Sequence, residues 1–415
     1  MTMNCEQRVV VTGLGIVSSV GTGVSKFWDS LVAGRSGISA ITKFDASDLR
    51  CRIAGEIDDL DIDRFLHPKE AKRLDKFCHY AMAATHEAVA DAGISTDHCD
   101  PDRIAVLVGS GIGGIGTLED QARVLRERGP AKSSPLMVPM MIADMASGYI
   151  SIAFGYKGPN LCVVTACASG AHAIGEAMWL IRRGDADVVI SGGAESCLTR
   201  LGVNGFCAMR ALSERNHEPE RASRPFDAER DGFVPSEGAG ILVLESMQHA
   251  RARGAEIHAE IIGYGASGDA FHITAPDPAG DGACRAIKAA MQQAHLNPED
   301  LGYINAHGTS TPLNDKLETM AIKRVLGAHA YQVPVSSTKS MTGHTLGAAG
   351  GLESTAAILP FRHGAIPPTI NYENPDPECD LDCVPNTART VNINTSMNIN
   401  LGFGGHNAVL IFRKV

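Results

Sequence analysis

The chain has 415 residues, 44% of them hydrophobic and 20% charged, with a formal net charge of −10 at pH 7, enough apolar sequence to bury a sizeable core without disulfide or metal staples. Disordered, collagen-like and low-complexity classes are excluded, and the acidic balance argues against nucleic acid as the main partner. Glycine is the one skew: 44 residues beside 2 tryptophans and 7 tyrosines, above the roughly 7% of average proteins, so many positions need tight turns or close backbone approach.

The N-terminus runs straight into a predicted strand at Val9–Thr12, with no basic region leading into a long apolar run, so no signal peptide is expected. No apolar stretch reaches membrane-spanning length. Eleven cysteines, from Cys5 to Cys383 and without a CxxC pair, fit free thiols in a reducing, cytoplasmic setting. Further strands are predicted at Ile104–Val108, Val188–Ser191, Gly240–Leu244, Ala259–Tyr264, Tyr303–Ala306, Val333–Ser336 and Val409–Phe412. Helical patterns cover Tyr80–Ala92, Ala168–Arg183, Asp281–Ala294, Asp315–Leu326 and Gly347–Arg362. This alternation predicts an α/β protein. Val9–Thr12 runs on to Gly15 and Ala259–Tyr264 to Gly265, with similar successions after each, which hints at an internal duplication. The polar stretch Arg210–Asp231 is expected to be a surface excursion near a site.

Gly109-Ser-Gly111-Ile-Gly113-Gly114 matches GxGxxG after the strand at 104–108. A dinucleotide unit needs a helix, a second strand and an acidic residue within about thirty residues. The segment Arg123–Pro139 is charged, contains proline and has no strand signal, so that reading fails. At Val163-Val-Thr-Ala-Cys167-Ala-Ser-Gly small residues turn the chain and a helix begins at the cysteine, where N–H groups and the dipole favour thiolate. Local sequence leaves a nucleophile and a buried structural cysteine equally open. At Asn305-Ala-His307-Gly-Thr309-Ser-Thr311 a strand ends at a histidine beside two hydroxyls. Ser336-Ser-Thr-Lys339-Ser-Met-Thr-Gly-His344 repeats the pattern with a lysine ahead of the histidine. Each is unspecific alone. Together, a cysteine and two histidines at strand ends form the constellation that nucleophilic catalysis needs.

Thr165-Ala-Cys167-Ala-Ser-Gly, Asn305-Ala-His307-Gly-Thr-Ser-Thr, Ser337-Thr-Lys339-Ser-Met-Thr-Gly-His344 and Gly402-Phe403-Gly-Gly-His-Asn407 occur in this order. Over essentially the whole chain they resemble the β-ketoacyl-acyl-carrier-protein synthases, the elongating condensing enzymes of fatty acid synthesis, most of all the type II members. The resemblance implies a thiolase-like α/β fold: two similar halves with mixed sheets, in a five-layer α-β-α-β-α arrangement, split at residues 1–252 and 253–415. It also implies a homodimer. Cys167 would take an acyl chain from acyl-carrier protein as a thioester, and malonyl-carrier protein would lose CO2 to give the attacking carbanion. Neutral His307 and His344 would donate hydrogen bonds to the malonyl thioester oxygen, and the N–H groups of Cys167 and Phe403 would hold the tetrahedral intermediate.

The resemblance gives Lys339 a charged supporting role, with Glu353 as structural support, and makes Phe403 a gate over the cysteine. Thr309 and Thr311 would bond the phosphopantetheine arm, and Ile112 would line the acyl pocket. No metal is expected, and no cofactor beyond the arm that the carrier delivers. An acidic enzyme meeting an acidic carrier needs a local basic face. Lys69, Lys72, Arg73 and Lys76 at helical spacing, with Arg210 and Arg215, are the docking candidates. Two stretches depart from the family pattern: Ile399-Asn400-Leu401, expected to alter the gate, and Pro235-Ser236-Glu237. Phe403 where a thiolase would carry a second cysteine argues against that class, and two histidine motifs argue against chalcone synthases. The retained Cys167 argues against a non-catalytic chain-length subunit. The remaining alternative is a ketosynthase of a dissociated polyketide or specialised lipid pathway.

Overall fold

In the computed structural model, which describes residues 7–415, the opening apolar run becomes β1 (Val9–Ser18); Cys5 lies outside the described residues. The strand outruns the predicted Val9–Thr12 because Gly13 and Gly15 continue it instead of turning it. A helix, α1 (Lys76–Ala92), lies so close upon it that a Cβ at Gly15 would stand 1.9 Å from the Ala84 carbonyl oxygen. The first half continues through β2 (Ile104–Gly109), α2 (Ser169–Arg182), β3 (Val188–Glu195) and β4 (Gly238–Ser246). The second follows as β5 (Ala259–Gly268), α3 (Asp281–Ala294), β6 (Ile304–Asn305), α4 (Pro312–Leu326), β7 (Val335–Ser336), α5 (Ala349–Ile358), β8 (Thr395–Gly402) and β9 (His406–Arg413). Gly265 repeats the role of Gly15: its Cβ would stand 1.9 Å from the Ala286 carbonyl of α3.

The strand pairing repeats as well. In the first half β1 is antiparallel to β4, β4 to β3, and β3 is parallel to β2, with the short strand Asn160–Leu161 parallel at the edge. In the second, β5, β9, β8, β6 and β7 follow the same order and directions. The two half-sheets touch where Val9–Val11 of β1 pair antiparallel with Ala259–Ile261 of β5.

Alternate residues of each strand feed different layers. Leu242 and Leu244 of β4 pack inward with α2, while Ile241 and Val243 pack outward with α1. Leu410 and Phe412 of β9 join the same inner layer, and Val409 and Ile411 face α3 and α4. The central layer of α2 and α5 thus lies between two sheets, each covered outside by helices. This is the five-layer thiolase-like arrangement.

Several elements differ from expectation. β8 was not predicted, asparagine being disfavoured in strands; Asn398 and Asn400 are both fully buried, on a polar network described below. A helix at Ile115–Arg128, not among the predicted ones, takes in the start of the charged stretch Arg123–Pro139. The predicted helix 347–362 is broken before Pro360, which lacks the N–H to continue it. Arg210–Asp231 is not a surface excursion in its middle: Arg224 and Asp227 are buried there. The Arg224 guanidinium pairs with Asp227, Glu229 and Glu373, and Arg230 with Asp376, which is how so polar a stretch can be covered. No helix among the described residues is long and apolar enough to cross a membrane.

Candidate active site

Strand ends and turns of both halves open into one cavity of about 520 Å³, whose lining includes Cys167, His307, Thr309, Thr311, His344 and Phe403. Cys167 lies in a tight turn, Ala166–Ala168, that leads directly into α2. Ala166 holds φ 51°, a left-handed conformation that is uncommon for a residue with a side chain. The expectation of a thiolate-favouring terminus does not hold for the net balance. Burial pushes the Cys167 thiol up to about 12, and the Lys339 cation and the Phe403 N–H only partly oppose it. The resting sulfur is a neutral thiol.

His307 follows β6 by two residues. Its own N–H and that of Gly308 donate to the Glu318 carboxylate of α4 at 2.6 and 2.8 Å. Lys339 is fully buried behind the ring: Nζ donates to the His307 carbonyl at 2.6 Å, lies 3.3 Å from His307 Nδ1, and pairs with Glu353. A lysine ammonium has only donors. His307 Nδ1 is therefore the acceptor, and its proton sits on Nε2. His344 reaches the same state differently, for its Nδ1 accepts the Leu346 N–H at 3.3 Å. The ring planes stand 85° apart with centroids separated by 5.3 Å. Burial first, then the Lys339 cation, holds both imidazoles well below the usual range, and the His344 ring also disfavours charge on His307. Two neutral rings with Nε2–H donors are the arrangement that stabilises a developing oxyanion.

Thr309 and Thr311 place their hydroxyls 3.0 Å apart on the cavity wall. Glu353 also accepts the Asn400 amide at 2.7 Å, and Asn398 donates to Asn400 at 3.0 Å. The Asn400 departure thus serves the Lys339–Glu353 pair, leaving Leu401 beside Phe403 on the wall. The Pro235-Ser236 departure frames His344: its N–H donates to the Val234 carbonyl at 2.8 Å, and the Ser236 N–H donates to the His344 carbonyl at 3.0 Å.

Two family models cover most of the chain: the β-ketoacyl synthase N-terminal domain over residues 6–250 and the C-terminal domain over 258–373. The chain belongs to the β-ketoacyl synthase family. Among relatives, it is 53% identical over 409 residues to a "3-oxoacyl-[acyl-carrier-protein] synthase 2" of Synechocystis, covering 99% of this chain and 98% of the relative. It is 50% identical to the protein of the same name in Staphylococcus aureus strain COL, over 99% of both. Among solved structures, a β-ketoacyl synthase from Burkholderia phymatum matches with TM-score 0.91 at 36% identity, over 99% of this chain and 100% of the other. A type II PKS acyl-carrier protein in complex with its ketosynthase, bound to a hexaketide, matches with TM-score 0.91 at 36% identity over 99% of both.

Within this β-ketoacyl synthase, Cys167, His307, His344, Thr309, Thr311, Phe403 and Arg210 meet at one cavity, with Lys339 and Glu353 behind it. Ile112 does not line that cavity and is 38% exposed. Lys69, Lys72 and Arg73, on and after the short helix Pro68–Ala71, are exposed and also away from the lining, as is Lys76 at the start of α1. Arg215 is engaged by Glu218 and Glu229. Sequence reasoning missed Glu318 and Glu195, and took Asn400 only as part of a departure bearing on the gate, not as a partner of Glu353. A signal for the first existed: Asp315 and Glu318, three residues apart just inside a helix opened by Pro312, are both buried.

Burial raises the Glu318 carboxyl to about 7, although two N–H donors oppose it. A raised acid binds its proton more tightly folded than unfolded, so its stabilising contribution is full below about pH 4.5 and is lost as pH rises through about 7. The unfolding free energy of the wild type, relative to Glu318→Gln, is expected to fall by about 3 kcal/mol across that window. Denaturant titrations at several pH values check this, and a difference independent of pH would contradict it.

Proposed function

We propose that the chain is a 3-oxoacyl-[acyl-carrier-protein] synthase that elongates fatty acyl chains by two carbons through decarboxylative condensation. The observation that carries the reading is two neutral imidazoles, each with its proton on Nε2, on the same cavity wall as a buried thiol. In the first step the Cys167 sulfur bonds to the acyl carbonyl carbon, the carrier's C–S bond breaks, and the thiol proton leaves with the carrier's sulfur. In the second, the malonyl C–C bond breaks, CO2 departs, and the electron pair moves onto the thioester oxygen facing His307 and His344. That enolate carbon then bonds to the acyl carbon, and Cys167 sulfur leaves and regains a proton from solvent. The Cys167 and Phe403 N–H groups hold the tetrahedral oxyanion between them. The phosphopantetheine arm arrives with the carrier, against Thr309 and Thr311, and the reaction needs no other cofactor. Identity of 50–53% to proteins named 3-oxoacyl-[acyl-carrier-protein] synthase 2, against 36% to a type II PKS ketosynthase, supports the fatty acyl reading over the polyketide one. The test is intact-mass analysis after exposure to acyl-carrier protein loaded with saturated chains of graded length. An acyl adduct on Cys167 is expected, and no adduct at any length would sink the reading.

The carrier's docking face is assigned to Lys69, Lys72, Arg73 and Arg210. All four are exposed and none is in an ion pair among the described residues, so their charge is free for an acidic partner. The reading includes a homodimer. Asn160–Leu161 leaves a sheet edge open, and Ile112, Val138, Ile142, Ile152 and Leu161 are exposed apolar side chains in segments packed around it, a surface that calls for cover. A second copy there would also enclose Ile112 as an acyl-pocket residue. A monomeric mass in sedimentation at micromolar concentration would overturn the pairing. The halves divide at 252/253 in this reading, and a cytoplasmic, reducing setting suits cysteines that are all free among the described residues.

A further inference from the structure

The two halves repeat one turn. Ala166 to Ser169 and Leu346 to Ala349 pass through the same succession: a residue in the left-handed region (Ala166 φ 51°, Leu346 φ 47°), a single tight turn (Ala166–Ala168, Leu346–Ala348), then helix α2 or α5. Gly347 therefore holds, in the second half, the place that Cys167 holds in the first. What approaches each turn is also repeated. Gly402, ending β8, lies so near the Cys167 turn that its Cβ would stand 3.2 Å from the Cys167 nitrogen, and the next N–H, of Phe403, reaches the sulfur. Glu195, ending β3, lies against Gly347, whose N–H donates to Glu195 Oε2 at 3.1 Å. Glu195 is fully buried and takes three more donors from the turn after β2. Gly111 N–H reaches Oε2 at 2.7 Å, while Ser110 Oγ–H and Ile112 N–H reach Oε1 at 3.1 and 3.3 Å.

We propose that Gly347 marks a second, degenerate copy of the nucleophile turn, in which the Glu195 carboxylate occupies the anion site that the acyl oxygen visits at Cys167, and that Glu195 thereby acts as a positioning residue for His344. The link is one peptide long. Leu346 N–H orients His344 through Nδ1, and the next N–H, of Gly347, is anchored by Glu195. The site is closed to other side chains: a Cβ at Gly347 would stand 2.2 Å from the Gly111 nitrogen and 2.8 Å from Glu195 Oε2. Only an ionised carboxylate accepts from all four donors, since a glutamine amide turns hydrogens towards two of them. Burial pushes the carboxyl up to about 7 against those donors, so pH 8 is the condition for testing it.

The assay rests on the condensing-enzyme reading, and its parts fail separately. Full-length Glu195→Gln is expected to form the Cys167 thioester within about 2-fold of wild type. Its kcat for CO2 release from malonyl-carrier protein is expected to drop about 10- to 100-fold with KM unchanged, as a displaced catalytic ring would. Glu195→Ala is expected to gain thermal stability and part of its kcat from added sodium formate, and neither from sodium chloride at equal strength. Wild-type kcat in the glutamine variant would overturn the proposal, as would equal loss of both half-reactions, or formate acting no differently from chloride. If the alanine variant does not fold, the glutamine variant decides. If the wild type itself releases no CO2, the function reading falls, and the formate-dependent stabilisation still decides whether an anion site exists.

Discussion

Cys167→Ala protein is expected to take up no acyl group and to lose condensation by about 10⁴-fold or more, while still releasing CO2 from malonyl-carrier protein. Among the described residues no other cysteine lines the cavity: Cys197, in the same hydrophobic cluster, is fully enclosed, and burial pushes its thiol above the usual range. The decarboxylating pair does not depend on the sulfur, because His307 is set by Lys339 and His344 by the Leu346 N–H. Intact mass and CO2 release, measured on one preparation, separate the two functions. Equal acylation of the variant would overturn Cys167 as the nucleophile.

The converse result is expected of the histidines. His307→Ala and His344→Ala should each keep thioester formation on Cys167 and lose about 10²- to 10³-fold in malonyl decarboxylation, the usual effect of removing one oxyanion donor. His307→Ala also strips a neighbour from the buried Lys339, which keeps its pairing with Glu353 and the backbone carbonyl at 307, so the variant retains a satisfied cation. Either variant losing acylation while decarboxylating normally would contradict these roles.

Most of the site was legible because each group stands beside small residues in a short motif. His307 and Phe403 closely follow β6 and β8, Cys167 and His344 lie further past the strands that precede them, and Lys339 lies within one of the motifs. What was illegible depends on residues far apart in the chain. The thiol's high pKa comes from enclosure by segments as distant as Phe233 and Leu346, which outweighs a local dipole argument. β8 hid because Asn398 and Asn400 carry a polar network through a sheet, and that network is visible only once Glu353 of α5 is beside them. The Arg224 stretch was misplaced for the same reason: Glu373, its distant counter-charge, arrives from another segment. The glycine pairs at 13/15 and 263/265 hinted at duplication, but their purpose was packing: they let α1 and α3 sink onto the strands.

The pairing of Val9–Val11 with Ala259–Ile261 has a consequence for how the chain is made. Arg8 beside that junction is held by Glu260, which also holds Arg413, and β5 pairs with β9 on its other edge, so β1 is tied to β9 through β5. As synthesis proceeds, the cysteine-bearing half emerges long before the strands that cover its inner helix. Its apolar face, with Ala171, Ile174 and Met178, must wait for Leu410 and Phe412. Contacts of such sequence separation make folding slow and leave intermediates prone to aggregate. Nascent chains stalled before about residue 400 should therefore remain protease-sensitive throughout and depend on chaperones, with cooperative protection arriving only when the last hairpin is released.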